Sequence, residues 1–166
     1  MSLSPNNDNN SPVNDPLTVP NIDEIGLRLA QYMNQSPFVA FTGITLNYEN
    51  GQMVGRVSLK SEMIGNVNFQ ILHGGMTATI LDTIGGLAGM FEIYKQAQGT
   101  YEEQTKKAQR LATVDLRVDY LAPGRGKEFI ATAEIIRMGR KGCTTTMLLV
   151  NDEGKKIAHG IASYVF

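Results

Sequence analysis

The longest apolar stretch of the sequence, residues 76–91, follows directly on a His-Gly-Gly tripeptide at residues 73–75. Its length and composition predict one long helix, which can continue to about residue 96. Asp82 lies in the middle of this helix, among apolar residues and threonines. Three glycines weaken its helix propensity and therefore indicate close packing against a neighbour: Gly85, Gly86 and Gly89. We expect a fold built around one mostly buried helix.

Shorter elements precede this helix. Residues 22–33 carry apolar side chains at helical spacing, with Asn21 as a candidate N-cap and Pro37 beyond the end, which predicts a short amphipathic helix. Residues 40–48 and 53–59 favour β-strands, and the Asn-Gly pair between them is typical of a tight hairpin.

An antiparallel sheet is expected after the long helix. The polar residues 97–109 form a connection or extend the helix, and residues 111–121 then alternate between apolar and polar side chains. One face of that strand is expected to carry Ala112, Val114, Leu116, Val118 and Tyr120, and the other Thr113, Asp115, Arg117 and Asp119. Three more strands are predicted near residues 127–138, 142–150 and 155–166. A central helix against a curled antiparallel sheet is an α+β architecture.

Length and composition limit the class of protein. The chain has 166 residues, enough for one domain. Residues 1–20 are rich in Asn, Ser, Asp and Pro, so we expect a disordered tail there and a single domain over residues 21–166. The net charge is −1 and the basic residues are scattered, so we expect no nucleic-acid partner.

The same composition bears on location and chemistry. No Lys or Arg precedes Arg28, no apolar segment opens the chain and no stretch is apolar enough to cross a membrane, so we expect a cytoplasmic protein. Cys143 is the only cysteine, which excludes an internal disulfide and a multi-cysteine metal site.

The His-Gly-Gly turn is suited to binding negative charge. Glycine lets a ligand approach the backbone closely, and the first N–H groups of a helix lack partners within it while the helix dipole favours an anion there. The turn could bind an anion, or a carbonyl oxygen that becomes anionic during a reaction. The glycines could equally do no more than shape a tight turn into the helix.

Asp82 is a second candidate site residue. Burying an ionised carboxylate without partners is costly, so Asp82 is exposed on a polar stripe with Thr79 and Thr83, paired, or retained for chemistry. Asp82 follows His73 by nine residues, which places the two side chains about 180° apart around a regular helix and about 13 Å apart along it. If both serve one reaction, the simplest solution is a symmetric dimer in which each site takes one residue from each chain.

The segment HGGMTATILD has the H-G-G-x6-D pattern and resembles the hotdog-fold acyl-CoA thioesterases, of the type found in phenylacetate degradation. The segments VDLRVDYLAPGRGKE and GKKIAHGIASYVF are similar to later strands of that family, and the resemblance covers residues 36–166. It implies a hotdog fold, with a long central helix wrapped by a curled antiparallel sheet. It also implies a homodimer with a shared active site, often paired into a tetramer.

The resemblance assigns roles to individual residues. Asp82 matches the catalytic carboxylate, acting as general base or nucleophile. Gly74 matches the residue whose backbone N–H polarises the thioester carbonyl, and His73 matches a positioning residue beside it. Thr113 matches a Ser or Thr that helps hold the attacking water. An asparagine is expected before the histidine, and Asn66 fits better than Asn68.

The implied reaction is hydrolysis of an acyl-CoA thioester to a free acid and coenzyme A, with no cofactor. Four basic residues could meet the phosphates of coenzyme A, although such residues also occur at strand ends for solubility: Arg125, Arg137, Arg140 and Lys141. Two alternatives remain: a hotdog dehydratase acting on hydroxyacyl thioesters, which would need a histidine as acid–base group, and a non-catalytic acyl-thioester binding module.

Overall fold

A computed structural model describes residues 19–166 of the protein. The predicted tail at residues 1–20 therefore lies almost entirely outside the described residues. The described chain begins with helix α1 (Ile22–Asn34), whose first turn is capped as predicted, since the Asn21 side chain accepts a hydrogen bond of 2.9 Å from the backbone N–H of Glu24. No helix within residues 19–166 is long and apolar enough to span a membrane.

The segment after α1 corrects one prediction. Residues 37–42 form a short helix, α2 (Pro37–Thr42), where a strand was expected to begin at residue 40. Pro37 occupies the start of this helix, a position at which the missing N–H of proline costs nothing. The strand itself, β1 (Thr45–Glu49), is shorter than predicted and pairs with β2 (Gln52–Ser58).

The β1–β2 hairpin is confirmed. Asn50 and Gly51 connect the two strands with φ angles of 52° and 81°. Two successive residues with positive φ are the requirement of the tight hairpin turn that Asn-Gly favours.

The chain then crosses to the long helix. A single 3-10 turn (Ser61–Met63) leads into a small two-stranded ribbon of β3 (Ile64–Asn66) and β4 (Ile71–Leu72). Helix α3 (Gly74–Lys95) follows directly and runs for 22 residues. The next helix, α4 (Tyr101–Gln109), is a separate element rather than an extension of α3, because Thr100 and Glu103 form a reciprocal capping box at its start.

The main sheet confirms the α+β architecture and the hotdog arrangement. Its remaining strands are β5 (Ala112–Tyr120), β6 (Glu128–Met138), β7 (Gly142–Asn151) and β8 (Lys156–Val165). The six strands are antiparallel in the order β1-β2-β6-β7-β8-β5. Helix α3 packs against every strand from β2 to β5 in that order, and its Leu81, Ile84 and Leu87 are fully buried against the sheet.

Strand β5 departs from the strict alternation that the sequence predicted. Thr113 pairs with Tyr164 and Asp115 pairs with Ser163, so Val114 is an extra residue in a β-bulge. The bulge places Thr113 on the helix-facing side of the sheet together with Leu116, and not on the face opposite to it. Val114 is 63% exposed. The predicted face of Thr113 was therefore wrong.

Candidate active site

The His-Gly-Gly turn forms the N-terminus of α3. His73 is the N-cap residue, and its Nδ1 accepts a hydrogen bond of 2.9 Å from the backbone N–H of Gly75. A ring nitrogen that accepts cannot carry a proton, so the neutral His73 ring carries its proton on Nε2. The exposed Nε2–H is then a donor directed away from the helix end.

The backbone N–H of Gly74 is a second donor at this turn. No acceptor for it lies among residues 19–166, as expected for the first residue of a helix. The carbonyl of Gly74 is held by the hydroxyl of Tyr120, which donates a hydrogen bond of 2.9 Å to it. Two donors without partners among residues 19–166 therefore lie at the start of α3, where the helix dipole favours negative charge.

Met63 and Gly65, which precede the turn, fix the position of the His73 backbone. The backbone N–H of His73 donates a 2.8 Å hydrogen bond to the carbonyl of Met63. A Cβ atom at Gly65 would lie 2.7 Å from the His73 ring and 2.8 Å from its Cα, so only glycine fits at that position. The structure thus holds the His73 backbone between β3 and the start of α3.

Asn66 lies closer to this turn in the strand pairing than Asn68 does. Asn66 is half-buried in β3 and pairs with Ile71 of β4, two residues before His73. Its side-chain oxygen accepts hydrogen bonds from the backbone N–H groups of Asn68 and Phe69, which ties down the loop. Asn68 is exposed within that loop. The side-chain amide N–H groups of Asn66 have no partner in the described part of the chain.

Asp82 is half-buried on α3 and is held by two hydroxyl groups. Thr113 donates a hydrogen bond of 3.0 Å to Asp82 Oδ1, and the bulge in β5 is what directs this hydroxyl to the helix. Tyr164 Oη lies 3.3 Å from the same Oδ1 and 3.0 Å from the backbone carbonyl of Asp82. Both side-chain contacts are to Oδ1, so within residues 19–166 the second carboxylate oxygen, Oδ2, is the one left for a ligand.

Tyr164 was missed at the level of sequence. It lies 82 residues from Asp82 and is 2% exposed. Burial raises the pKa of its phenol well above the ordinary value, and the negative charge of Asp82 raises it further. The hydroxyl therefore stays protonated and remains a donor. The only signal in the sequence was an aromatic residue at an inward position of the last strand.

The turn and the carboxylate of one chain do not meet. Gly74 and Asp82 are eight residues apart on one unbroken helix, which places them about 12 Å apart along its axis. Strand β5 contacts both points, through Tyr120 at Gly74 and through Thr113 at Asp82. One chain thus carries two separate polar sites on one helix.

The four basic residues fall into two groups. Arg137, Arg140 and Lys141 line a shallow cavity of about 320 Å³ at the β6–β7 turn, which Tyr164 also lines. Arg125 precedes the other end of β6, with its guanidinium 5.7 Å from the centre of the Phe69 ring. An 11-residue strand separates the groups by about 35 Å.

His159 and Cys143 both lie in contacts that support the fold. His159 Nε2 lies 2.7 Å from Thr146 Oγ1 on the outer face of the sheet, away from α3. Cys143 is buried, and burial raises the pKa of its thiol to about 11. Within residues 19–166, no group of three or more His, Cys, Asp or Glu side chains is placed to share a metal ion.

The chain is similar to known thioesterases. A family model described as "Thioesterase superfamily" matches residues 69–158. The medium/long-chain acyl-CoA thioesterase YigI of Escherichia coli is 38% identical over 104 residues, which covers 62% of this chain and 67% of YigI. The YigI of Salmonella typhimurium is 33% identical over 136 residues, which covers 81% of this chain and 88% of that protein.

A solved structure is also similar. A protein of Shewanella oneidensis related to the thioesterase superfamily superposes with a TM-score of 0.81 at 37% sequence identity. The superposition covers 87% of this chain and 96% of the Shewanella chain.

Proposed function

The chain belongs to the thioesterase superfamily, and we propose that it hydrolyses acyl-coenzyme A thioesters to a free acid and coenzyme A at a site shared by two chains. The observation that carries this proposal is the Asp82 carboxylate, held at one oxygen by Thr113 and Tyr164 with its other oxygen left for a ligand. The proposed reaction uses no metal ion and no redox cofactor.

The His-Gly-Gly turn supplies the hydrogen-bond donors that stabilise negative charge on the thioester oxygen. The Gly74 N–H and the His73 Nε2–H donate to the thioester oxygen, which gains negative charge as the carbonyl carbon becomes tetrahedral. These donors are already in place before the reaction begins, because His73 is fixed by its own hydrogen bond to Gly75. The helix dipole of α3 favours the same negative charge.

Asp82 supplies the other half, through either of two routes. As a general base it takes a proton from water, the resulting hydroxide attacks the carbonyl carbon, and the C–S bond breaks to release coenzyme A as a thiolate that is then protonated. As a nucleophile, Oδ2 attacks the carbonyl carbon and expels the thiolate, and water then hydrolyses the anhydride. Thr113 and Tyr164 serve both routes by fixing the carboxylate.

A homodimer brings the two halves together. About 12 Å of helix separates Gly74 from Asp82 in one chain, so a single thioester carbonyl cannot meet both there. Strand β5 is an edge of the sheet, and Val114 and Tyr120 on it are 63% and 58% exposed. An open edge with exposed apolar side chains favours pairing with a second chain. The proposal that two such dimers form a tetramer rests on the resemblance of the H-G-G-x6-D motif to that family.

The remaining residues complete the proposed site. Asn66 orders the loop before the turn and offers its amide to the substrate. In a shared site, the chain that gives Asp82 also gives Arg137, Arg140 and Lys141, and the chain that gives Gly74 also gives Arg125. Either basic group could pair with coenzyme A phosphates.

The acyl group is a separate question. The H-G-G-x6-D motif resembles that of the phenylacetate-degradation thioesterases, while the relatives at 33% and 38% identity are named for medium and long acyl chains. We favour medium-to-long acyl chains, because the similarity to those relatives extends well beyond one motif.

Release of free thiol from acyl-CoAs tests the proposal. Asp82→Asn keeps the size of the side chain and removes the base, so we expect kcat/KM to fall by about 10² to 10⁴. Glu134→Gln is the matched control, since it neutralises an exposed carboxylate on β6 and should leave the rate unchanged. Undiminished release in Asp82→Asn would remove Asp82 from the mechanism, and no release by the wild type from any acyl-CoA would favour the binding module.

A further inference from the structure

A groove lies between α1, α3 and α4, apart from the polar residues of the site. It has a volume of about 600 Å³, which is within the range of small-molecule pockets. Its wall on α3 is formed by Met90 and Tyr94, its wall on α4 by Tyr101 and Ala108, and its wall on α1 by Leu29 and Met33.

Apolar and aromatic side chains form most of the groove, and Arg28, Gln35 and Gln109 are polar residues that also line it. Met33 and Met90 are half-buried, and methionine adapts its shape to flexible apolar ligands. The Tyr94 and Tyr101 rings pack against each other with centroids 5.7 Å apart. The Tyr94 hydroxyl is already bonded to Thr105 at 3.2 Å, so it makes no demand on a ligand. An alkyl chain fits these surroundings better than a polar or charged group does.

One end of the groove, at Met90 and Gln109, is closer to Asp82 than the other end is. Met90 follows Asp82 by eight residues on α3, or about 12 Å along the helix axis. Gln109, at the end of α4, is four residues from Thr113, which contacts Asp82. Leu111 lies between these points, since Cβ atoms at Gly86 and Gly89 would meet its side chain at 3.6 and 3.1 Å.

The far end of the groove is formed by the two tyrosines. Tyr94 lies one helical turn beyond Met90 on α3, and Tyr101 begins α4, which returns toward Asp82 as it approaches Gln109. The groove therefore has a direction: Met90 and Ala108 lie at the end closer to Asp82, and the Tyr94–Tyr101 pair lies at the end farther from it.

We propose that this groove binds the distal end of the acyl chain, with α4 as the wall that sets the chain length accepted. The inference rests on the proposed thioester hydrolysis. An acyl group attached at a carbonyl beside Asp82 would pass Leu111 and enter between Met33 and Met90. The Tyr94–Tyr101 pair would limit the chains that fit.

Chain-length profiles with a series of acyl-CoAs test the assignment. Met90→Trp and Met33→Trp fill the groove near its entrance, so kcat/KM for dodecanoyl-CoA should fall about tenfold relative to butanoyl-CoA. Tyr101→Ala removes the far wall, so the preference should move toward hexadecanoyl-CoA. Leu27→Trp is the matched control, because Leu27 is 51% exposed on α1 and does not line the groove.

The outcomes separate the two proposals. A gain on long chains in Tyr101→Ala cannot come from misfolding and would support the groove. Profiles like that of the wild type in Met90→Trp, Met33→Trp and Tyr101→Ala, with hydrolysis intact, would overturn the groove assignment and leave the hydrolysis standing. Absence of hydrolysis by the wild type on every acyl-CoA would instead overturn the proposed function.

Discussion

At the scale of single residues, the carboxylate of Asp82 depends on a tyrosine from the far end of the chain. The Tyr164 hydroxyl lies within hydrogen-bonding distance of both Asp82 Oδ1 and the Asp82 backbone carbonyl. Its raised pKa, caused first by burial and then by the charge of Asp82, keeps it protonated across the pH range of any ordinary assay. In the proposed mechanism Tyr164 contacts Asp82 and not the substrate, which makes it a positioning residue.

We expect Tyr164→Phe to lower kcat about tenfold with little change in KM, because a hydrogen bond to a charged group is worth about 1.5 kcal/mol. Steady-state kinetics with one acyl-CoA measure this. Tyr48→Phe is the matched control: Tyr48 donates a 2.6 Å hydrogen bond to Asp23, and this bond raises its pKa to about 12, but it lies away from the site. Equal kcat values for the two variants would contradict the positioning role.

The sequence predicted some of these residues and not others, for physical reasons. His73, Gly74 and Asp82 belong to one helix and its N-cap, so the number of residues between them was enough to predict the distance between them. Thr113 was placed on the wrong face because alternation assumes a regular strand, and a single bulged residue reverses it. Tyr164 was missed because 82 residues of chain separate it from Asp82.

At the scale of elements, α3 and β8 are packed so closely that no residue larger than glycine fits at Gly85. A Cβ atom at Gly85 would collide with the Tyr164 hydroxyl and lie 2.9 Å from both Met147 Sδ and Thr145 Oγ1. The prediction that α3 glycines mark close packing is confirmed at this position. The glycine is what allows the tyrosine to reach Asp82.

Gly85→Ala should therefore lower the free energy of unfolding by about 1–3 kcal/mol, since overpacking outweighs the better helix propensity of alanine. The neighbouring Gly86→Ala is the control, because its Cβ would lie 3.4 Å from the Tyr164 ring and 3.6 Å from Leu111. That variant should keep the stability of the wild type or gain up to about 1 kcal/mol. Chemical denaturation measures both, and a Gly85→Ala protein as stable as Gly86→Ala would contradict the packing argument.

Short elements were the least predictable from the sequence. The apolar stretch at residues 37–42 is too short for its periodicity to distinguish a helix from a strand. In the folded protein these residues form the helix α2. Helix α4 was expected only as a connection or an extension, although Thr100 and Glu103 carry the pattern of a capping box. The long helix and the β6, β7 and β8 strands were predicted closely, because their patterns run for ten residues or more.

At the scale of the whole molecule, the proposed shared site predicts complementation between two inactive variants. A His73→Ala chain keeps Asp82, and an Asp82→Asn chain keeps the His-Gly-Gly turn, so a mixed dimer contains one site with both residues intact. We expect mixtures of the two chains to recover a substantial part of the activity that each variant alone lacks. Thiol release by verified heterodimers is the measurement, and heterodimers as inactive as either parent would rule out a site built from two chains.

The unbroken length of α3 has a further consequence for how activity depends on protein concentration. On the shared-site proposal, a solitary chain holds donors that face no base and a base that faces no donors, so it is inert. Well below the dissociation constant of the dimer, the number of working sites grows with the square of the chain concentration, and above it the growth becomes linear. A helix of 22 residues thereby makes hydrolysis respond to the abundance of the protein itself.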